Sequence, residues 1–498
     1  MNELVTRSDV TLSADHARVL ARLFVPGHEL EFHAESRADG VLGRILALPE
    51  DLVGTTLRRV LNRHESRHRD LGGLLLSHYE QIAHRVPDAA ALTEDRRRLI
   101  GASFTSEFAV EGAAVLNPSA VAHPDQSGLP LGACRFVMSL RAVGEGHLSS
   151  LEFRTGVVGP GRQLVIDDPG HQVEGGRSRP TTYNRDVFLA ALDEHGVDSE
   201  SASYLVELLP GRFRDHELDA ALSALANQQV TRHGAARTGD IARTIARCSY
   251  EVEFDPVSRL DARVLWPQGP SESHGIEDAR FVRFADSDGY RATYTAFDGE
   301  RVSSALIETE DFRCFRMSPL AGRPAGNKGM ALFPRRVGGR HLALSRWDRE
   351  SISLASSTDG SLWGNERTVY SPTQPWEIVQ TGNCGSPVET DAGWVVLTHG
   401  VGPMREYAMG ALLLDLEEPG RLIGALREPL MTAQEDEREG YVPNVVYSCG
   451  ALRHGDDLLL PYGVSDGAVR FAFVDVPRLL DRLTDDGPPS AMRVNRSA

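Results

Sequence analysis

The sequence predicts a mainly β protein of sandwich, barrel or propeller type, preceded by a helical region and interrupted by a helical insertion. Three observations carry this. From about residue 106 onward, short runs rich in β-branched and aromatic residues alternate with Gly, Pro, Asn and Asp clusters. Before that point, and again between about 184 and 247, apolar residues recur at helical spacing instead. At 498 residues the chain has room for two or three units, or for one large β architecture with additions.

Residues 1–105 read as the helical region. Leu57, Val60, Leu61, Leu71, Leu74, Leu75 and Ile82 line one face between 51 and 86, and Gly72-Gly73 is expected to break this stretch into two helices. A further short helix is expected over 92–102. The β region runs from 106 to 483, with strands at 135–140, 281–284, 292–296, 341–345, 394–398, 411–416, 457–461 and 470–474. One pattern favours a propeller: Asp359-Gly360 forms a hairpin turn, and Trp363 follows it as a wedge between neighbouring sheets. Phe297-Asp298-Gly299 and Ser465-Asp466-Gly467 are weaker echoes. Runs at 187–192, 202–209, 217–225 and 241–246 read as helices of the insertion, because compact domains rarely hold a structureless loop of that length. Residues 484–498 are expected to form a flexible tail.

Composition narrows the function classes. Lys and Arg total 53 against 70 Asp and Glu, a net charge of −17 that phosphate backbones and anionic membranes would repel. No run approaches the ~20 apolar residues of a membrane span, and the N-terminus lacks the basic flank and apolar stretch of a signal peptide. Five dispersed cysteines (Cys134, Cys248, Cys314, Cys384, Cys449) with no CxxC pair argue for a reducing compartment and against a disulfide framework or structural zinc. The expectation is a cytoplasmic protein with neither nucleic-acid nor membrane partners. Its N-terminal helices would pack on the β domain or make a homo-oligomer contact.

His64-Glu65-Ser66-Arg67-His68 fits the H-E-x-x-H zinc pattern. Arg63, Arg67 and Arg69 surround it with positive charge, and no third ligand follows at the usual spacing, so a solvated helix face is expected and no metal site. The β region is richer. Glu277 and Asp278 precede a strand; on regular pleated backbone they would point to opposite sides, so only one would face a pocket. Asn327-Lys328, Arg346, Glu389, His399, Tyr407, Glu437 and Asp466 sit at strand ends or in loops. Sugars offer hydroxyls to carboxylates and C–H faces to aromatic rings, and a glycosidic bond needs an acid, so the set points to a carbohydrate pocket.

These residues, in order, resemble glycoside hydrolase family 130, the β-mannoside phosphorylases and β-1,2-mannosidases. The matching pieces are Leu116-Asn117-Pro118, Leu140-Arg141, residues 274–280, Tyr294-Thr295-Ala296, Asn327-Lys328, Arg346, Gly385-Ser386-Pro387, His399-Gly400-Val401, Tyr407, residues 410–415, residues 440–446 and Tyr462-Gly463. The resemblance implies a five-bladed β-propeller and inverting cleavage of β-mannosidic bonds in short manno-oligosaccharides. Asp278 would be the general acid, its proton passing through a mannose hydroxyl in the phosphorylases. It implies substrate contacts from Asn117, Arg141, Glu277, Arg280, Tyr294, Asn327, Tyr407 and Asp466. For a phosphorylase it implies a phosphate site of Arg141, Lys328, Arg346, His399 and Tyr407, with inorganic phosphate as co-substrate and no cofactor or metal.

Two departures stand out. Ala279 replaces the usual Pro of the acid motif. Glu389 occupies a position where the phosphorylases carry Lys or Arg, and a carboxylate there would repel phosphate. A carboxylate opposite the acid would instead activate water, so Glu389, or Glu437 from the family's Glu-x-x-Gly loop, is the expected base and hydrolysis is slightly favoured over phosphorolysis. Loops of the insertion are expected to narrow the pocket. A non-catalytic sugar-binding propeller is the alternative of another class.

Overall fold

The computed structural model describes residues 4–25, 37–86, 88–227, 235–287 and 289–489. Strands dominate, and each expected β run coincides with one, although 281–284 and 411–416 overrun strands that end at Arg283 and Leu414. They form antiparallel meanders in chain order. Ala114–Ala122, Cys134–Val143 and Ser149–Val158 make the first; Gly275–Arg283, Tyr290–Phe297, Val302–Thr309 and Cys314–Pro319 make the next, joined to the first through Gly275 and Ser149. Ala331–Leu332 through Gly364–Tyr370 form a four-stranded sheet, and a six-stranded sheet centres on Gly393–Val401 and Tyr407–Leu414. The last sheet is built on Asp457–Val464 and Ala468–Asp475, and the N-terminal strand Val5–Ser13 pairs with Ala468–Asp475. The first strand of the described chain therefore pairs with its last.

Apolar side chains fill the spaces between consecutive sheets. Trp363 is buried among Val282 and Leu306 of one sheet and Leu332 and Ala343 of the next, and its indole donates to the Gly360 carbonyl at 3.1 Å. Asp359 accepts from the Ser361 and Leu362 amides, while Gly360 takes a φ of 82°. The expected hairpin and wedge are both present.

The N-terminal region is not helical throughout. Val5–Ser13 and Val19–Leu23 are strands, and Val19–Leu23 pairs with Thr105–Ala109, so the helices are an excursion between two strands. The helices are Arg37–Leu46, Glu50–His64, Leu71–Ile82 and Glu94–Ser103. Gly72-Gly73 does not break the long stretch. Asp70 accepts from the Gly73 amide at 2.9 Å, so the second helix starts there and both glycines lie in its first turn. The H-E-x-x-H residues do not share a helix either. The helix ends at His64, and His64 and His68 converge on Glu107 at 3.2 and 2.9 Å, with Arg67 on its other oxygen.

The insertion holds the helices Arg185–Glu194, Ser199–Leu208, Asp215–Asn227 and Ala235–Ala246 around a core of its own that includes Phe188, Leu192, Leu205, Phe213 and Leu222. At the other end, Val476–Asp486 is a helix capped by Asp475, so the expected tail begins too early. Its residues 490–498 lie outside the described residues. Among the described residues no helix is long and apolar enough to cross a membrane.

Candidate active site

A cavity of about 570 Å³ opens where the strand ends of several sheets meet, within the range of small-molecule sites. Asn117, Arg141, Asp278, Arg280, Asn327, Lys328, Arg346, His399, Tyr407 and Asp466 all line it. The sequence placed these ten residues in eight separate stretches, and the sheets bring them together.

Two β-bulges build one wall. The strand Gly275–Arg283 slips register against its partner between Glu277 and Arg280, with Asp278 at a φ of 56°. The strand Ala114–Ala122 slips between Leu116 and Ser119, with Asn117 at a φ of 51°. Left-handed backbone is costly for residues other than glycine, and such bulges re-aim side chains. Here the two aim at each other, and the Asn117 amide donates to Asp278. The bulge also corrects the expectation that Glu277 and Asp278 oppose each other. Both face Arg141, which donates to Glu277 at 2.6 Å and sits 3.6 Å from Asp278. Glu277 supports that arginine from the wall and is not among the cavity-lining residues.

Charge then separates the carboxylates. Burial alone would push the Asp278 carboxyl up, but Arg141, Lys328 and Arg280 and the Asn117 hydrogen bond hold it below the ordinary range. Burial pushes Glu277 up, reinforced by the Asp278 charge and opposed by Arg141. Asp466, at the turn between the last two strands, is pushed up to about 6 by burial and by the Asp278 charge. Arg280 is spent on structure, donating to the carbonyls of Cys384 and Asp278 at 2.7 Å each and to the Tyr447 hydroxyl at 2.8 Å.

The opposite wall is cationic. Arg346 is buried, and its backbone carbonyl is fixed by Asn327 at 2.7 Å. Gly382 makes room for it, since a Cβ there would lie 2.3 Å from Arg346 Cδ and 2.6 Å from His399 Cε1. Arg346 Nε and His399 Nδ1 are both buried with no hydrogen-bond partner among the described residues. Burial, with the charges of Arg346, Arg280 and Lys328, holds His399 well below the usual imidazole range, so it is neutral. Tyr407 stacks parallel to its ring at 6.2 Å, and Tyr447 meets its face edge-on at 4.9 Å.

Three expected site residues lie elsewhere. Glu389 pairs across its hairpin with Trp394, at the outer end of the strand whose other end carries His399, roughly 17 Å away at strand rise. Its side chain is 41% exposed and ion-paired with Arg335 at 2.7 Å. Glu437 is fully buried, accepting from the Tyr462 hydroxyl at 2.6 Å, the Gln434 amide at 2.9 Å and Arg7 at 3.2 Å. It is one of three alike. Glu272 and Glu377 also end short 3-10 turns and accept from buried tyrosines, Tyr250 at 2.7 Å and Tyr370 at 2.6 Å respectively. Tyr294 serves the same device, donating to Glu272. These groups secure turns and are closed to substrate.

Among the described residues the insertion does not narrow the cavity, since none of them line it. It instead walls a separate cleft of about 130 Å³ with Arg212, Arg291 and Arg316. Sequence reading missed Arg349, Gln380, Arg405 and Tyr447, all cavity-lining. A signal for Arg405 existed, because Val401-Gly402-Pro403-Met404-Arg405 echoes Val143-Gly144-Glu145-Gly146-His147 and Val158-Gly159-Pro160-Gly161-Arg162.

Residues 246–485 match the protein-family model of glycoside hydrolase family 130, described as β-1,4-mannooligosaccharide phosphorylase. A 1,2-β-oligomannan phosphorylase of Thermoanaerobacter sp. is 32% identical over 246 residues, 47% of this chain and 79% of that protein. A β-1,2-mannobiose phosphorylase of Listeria innocua is 32% identical over 228 residues, 44% of this chain and 63% of that protein. A solved structure of a β-1,2-mannobiose phosphorylase from Listeria innocua in complex with β-1,2-mannobiose aligns at a TM-score of 0.45 and 20% identity, covering 76% of this chain and 93% of that one.

Proposed function

The chain belongs to glycoside hydrolase family 130, an enzyme family, and we propose that it is an inverting phosphorylase of β-mannosides built on a five-bladed propeller. The single observation that carries phosphorolysis is the distribution of charge around the cavity. Lys328 and Arg346 line it with no carboxylate partner, the buried Arg346 Nε and His399 Nδ1 lack hydrogen bonds, and neither carboxylate considered as a base reaches it. An inorganic phosphate satisfies that wall through charge-assisted hydrogen bonds. The sequence-based preference for hydrolysis rested on Glu389, and it lapses with Glu389 paired to Arg335 outside the cavity.

In this reading Asn117, Asp278 and Asp466 hold the hydroxyls of the mannose being transferred, and Arg141 orients Asp278. Phosphate attacks C1 from the cationic side as the bond to the leaving oxygen breaks on the other. The leaving oxygen takes its proton from Asp278 through a mannose hydroxyl, giving α-mannose 1-phosphate and the shortened sugar. A low-lying Asp278 is an unfavourable acid in the empty cavity. Bound phosphate works against that, because its charge offsets Lys328, one of the cations that hold the carboxyl down, and burial then counts for more. No resident cofactor enters the scheme. The five cysteines, all unpaired thiols, support a cytoplasmic location, where phosphate is available as co-substrate.

Product analysis on β-1,2-mannobiose and other short β-mannosides tests the reading. Mannose 1-phosphate is expected, only when phosphate is supplied. Free mannose formed at a phosphate-independent rate refutes phosphorolysis, and tight sugar binding without turnover favours a binding module.

A further inference from the structure

The cavity holds more positive charge than one phosphate needs, and the surplus sits at its mouth. Arg349 and Arg405 line the cavity and are exposed, and among the described residues no hydrogen bond or ion pair occupies either guanidinium. The chain as a whole carries a net charge of −17. Arg162, Arg179, Arg313, Arg316 and Arg470, all partly exposed, each reach a carboxylate.

Strand register places the pair on one arc of the rim. The Thr381 amide donates to the Glu350 carbonyl at 2.9 Å, next to Arg349. Gln380 pairs with Val401, and Val401 with Tyr407, two residues beyond Arg405. Both arginines stand on left-handed backbone, at φ 70° and 56°. Three hairpins of similar sequence make the contrast sharper. At the equivalent position His147 contacts the Tyr441 hydroxyl at 3.0 Å and Arg162 holds Asp457 at 2.7 Å, whereas Arg405 faces the cavity unpaired. The residue before it is glycine in the other two hairpins and Met404 here, at φ 58° and 94% exposed.

We propose that the sugar on the leaving side of the scissile bond carries a negatively charged group, a carboxylate or a phosphate ester, held by Arg349 and Arg405. This rests on the phosphorolysis reading and adds the chemical class of the second sugar. The cations deeper in the cavity hold the attacking phosphate. The mouth then holds a second anion, whose charge also draws the substrate towards this face of an otherwise acidic surface.

The test runs the reaction backwards, with mannose 1-phosphate as donor and matched acceptors: glucose, glucose 6-phosphate and glucuronate, then mannose, mannose 6-phosphate and mannuronate. One or both anionic members of a set are expected to exceed the neutral one in kcat/KM by about tenfold or more, and the better of the two identifies the group. Added salt shrinks the advantage. R349Q and R405Q are each expected to bring the charged-to-neutral ratio towards one. Equal or better use of the neutral sugars overturns the proposal and leaves phosphorolysis standing. So do variants that keep the ratio and raise KM for mannose 1-phosphate, which would assign the arginines to the phosphate site. Turnover with no acceptor at all refutes phosphorolysis itself, and the proposal falls with it.

Discussion

Gly382→Ala tests the phosphate cradle without replacing a charged group. Gly382 lies buried in the strand Gln380–Asn383, opposite His399. A Cβ built there lies 2.3 Å from Arg346 Cδ, 2.5 Å from its Nε and 2.6 Å from His399 Cε1, where ordinary contact begins near 3.4 Å. Arg346 must therefore retreat by about 1 Å. Its Nε has no hydrogen bond to lose, so the fold yields at a cost of about 1–3 kcal/mol, typical of overpacking. The effect on catalysis is larger, since a 1 Å displacement of a positioning group costs up to ~100-fold. The assay is initial-rate phosphorolysis with phosphate and mannoside varied in turn, alongside a thermal midpoint. KM for phosphate is expected to rise roughly 10–100-fold, or about 1.4–2.7 kcal/mol, with KM for the mannoside changed far less. A folded variant with unaltered KM for phosphate would refute the placement of phosphate against Arg346 and His399.

Glu389→Gln removes only an exposed ion pair with Arg335, so turnover should match the parent protein and stability should fall by no more than ~1 kcal/mol; loss of activity would restore it as a catalytic base. Glu437→Gln leaves the partly exposed Arg7 and Arg470, and Tyr462, around a neutral amide, and chemical denaturation should show a loss of about 1–3 kcal/mol, with activity per folded molecule kept. Asp466, pushed up to about 6, should place an inflection near pH 6 in kcat/KM that disappears in Asp466→Asn. The stability signs follow from the same shift. What the protonated Asp466 contributes is complete below its unfolded value of 3.8 and lost as pH rises through about 6. Asp466→Asn should therefore overtake the parent above pH 6, by up to ~3 kcal/mol at ~1.4 kcal/mol per pH unit. A stability difference independent of pH would sink that assignment.

Much of the β architecture was readable because its strands are short, apolar and punctuated by turn residues, and Asp359-Gly360 with Trp363 behaves as its local chemistry dictates. The N-terminal strands were hidden because each finds its partner at the far end of the chain or beyond a helical excursion: Val5 faces Val474, and Val19 faces Ala109. Periodicity carries no signal for pairing at that separation. Cavity residues were legible as an ordered set of motifs, but their roles were not. The bulges at Asn117 and Asp278 break the alternation that assigns side chains to faces, which is why Glu277 and Asp278 both reach Arg141. Glu389 and Glu437 looked alike as loop carboxylates. Position along the strand set the first outside the cavity, and a repeated turn device buried the second, and neither property is local to the residue.

The most direct measurement is a crystal structure of the protein with inorganic phosphate and mannose bound. Phosphate is expected on Lys328, Arg346 and Tyr407, beside His399 and at hydrogen-bond distances of about 2.7–3.2 Å from the basic side chains, with the sugar between it and Asp278. Phosphate bound outside this wall, or a cavity that takes mannose and excludes phosphate, would contradict phosphorolysis at this site.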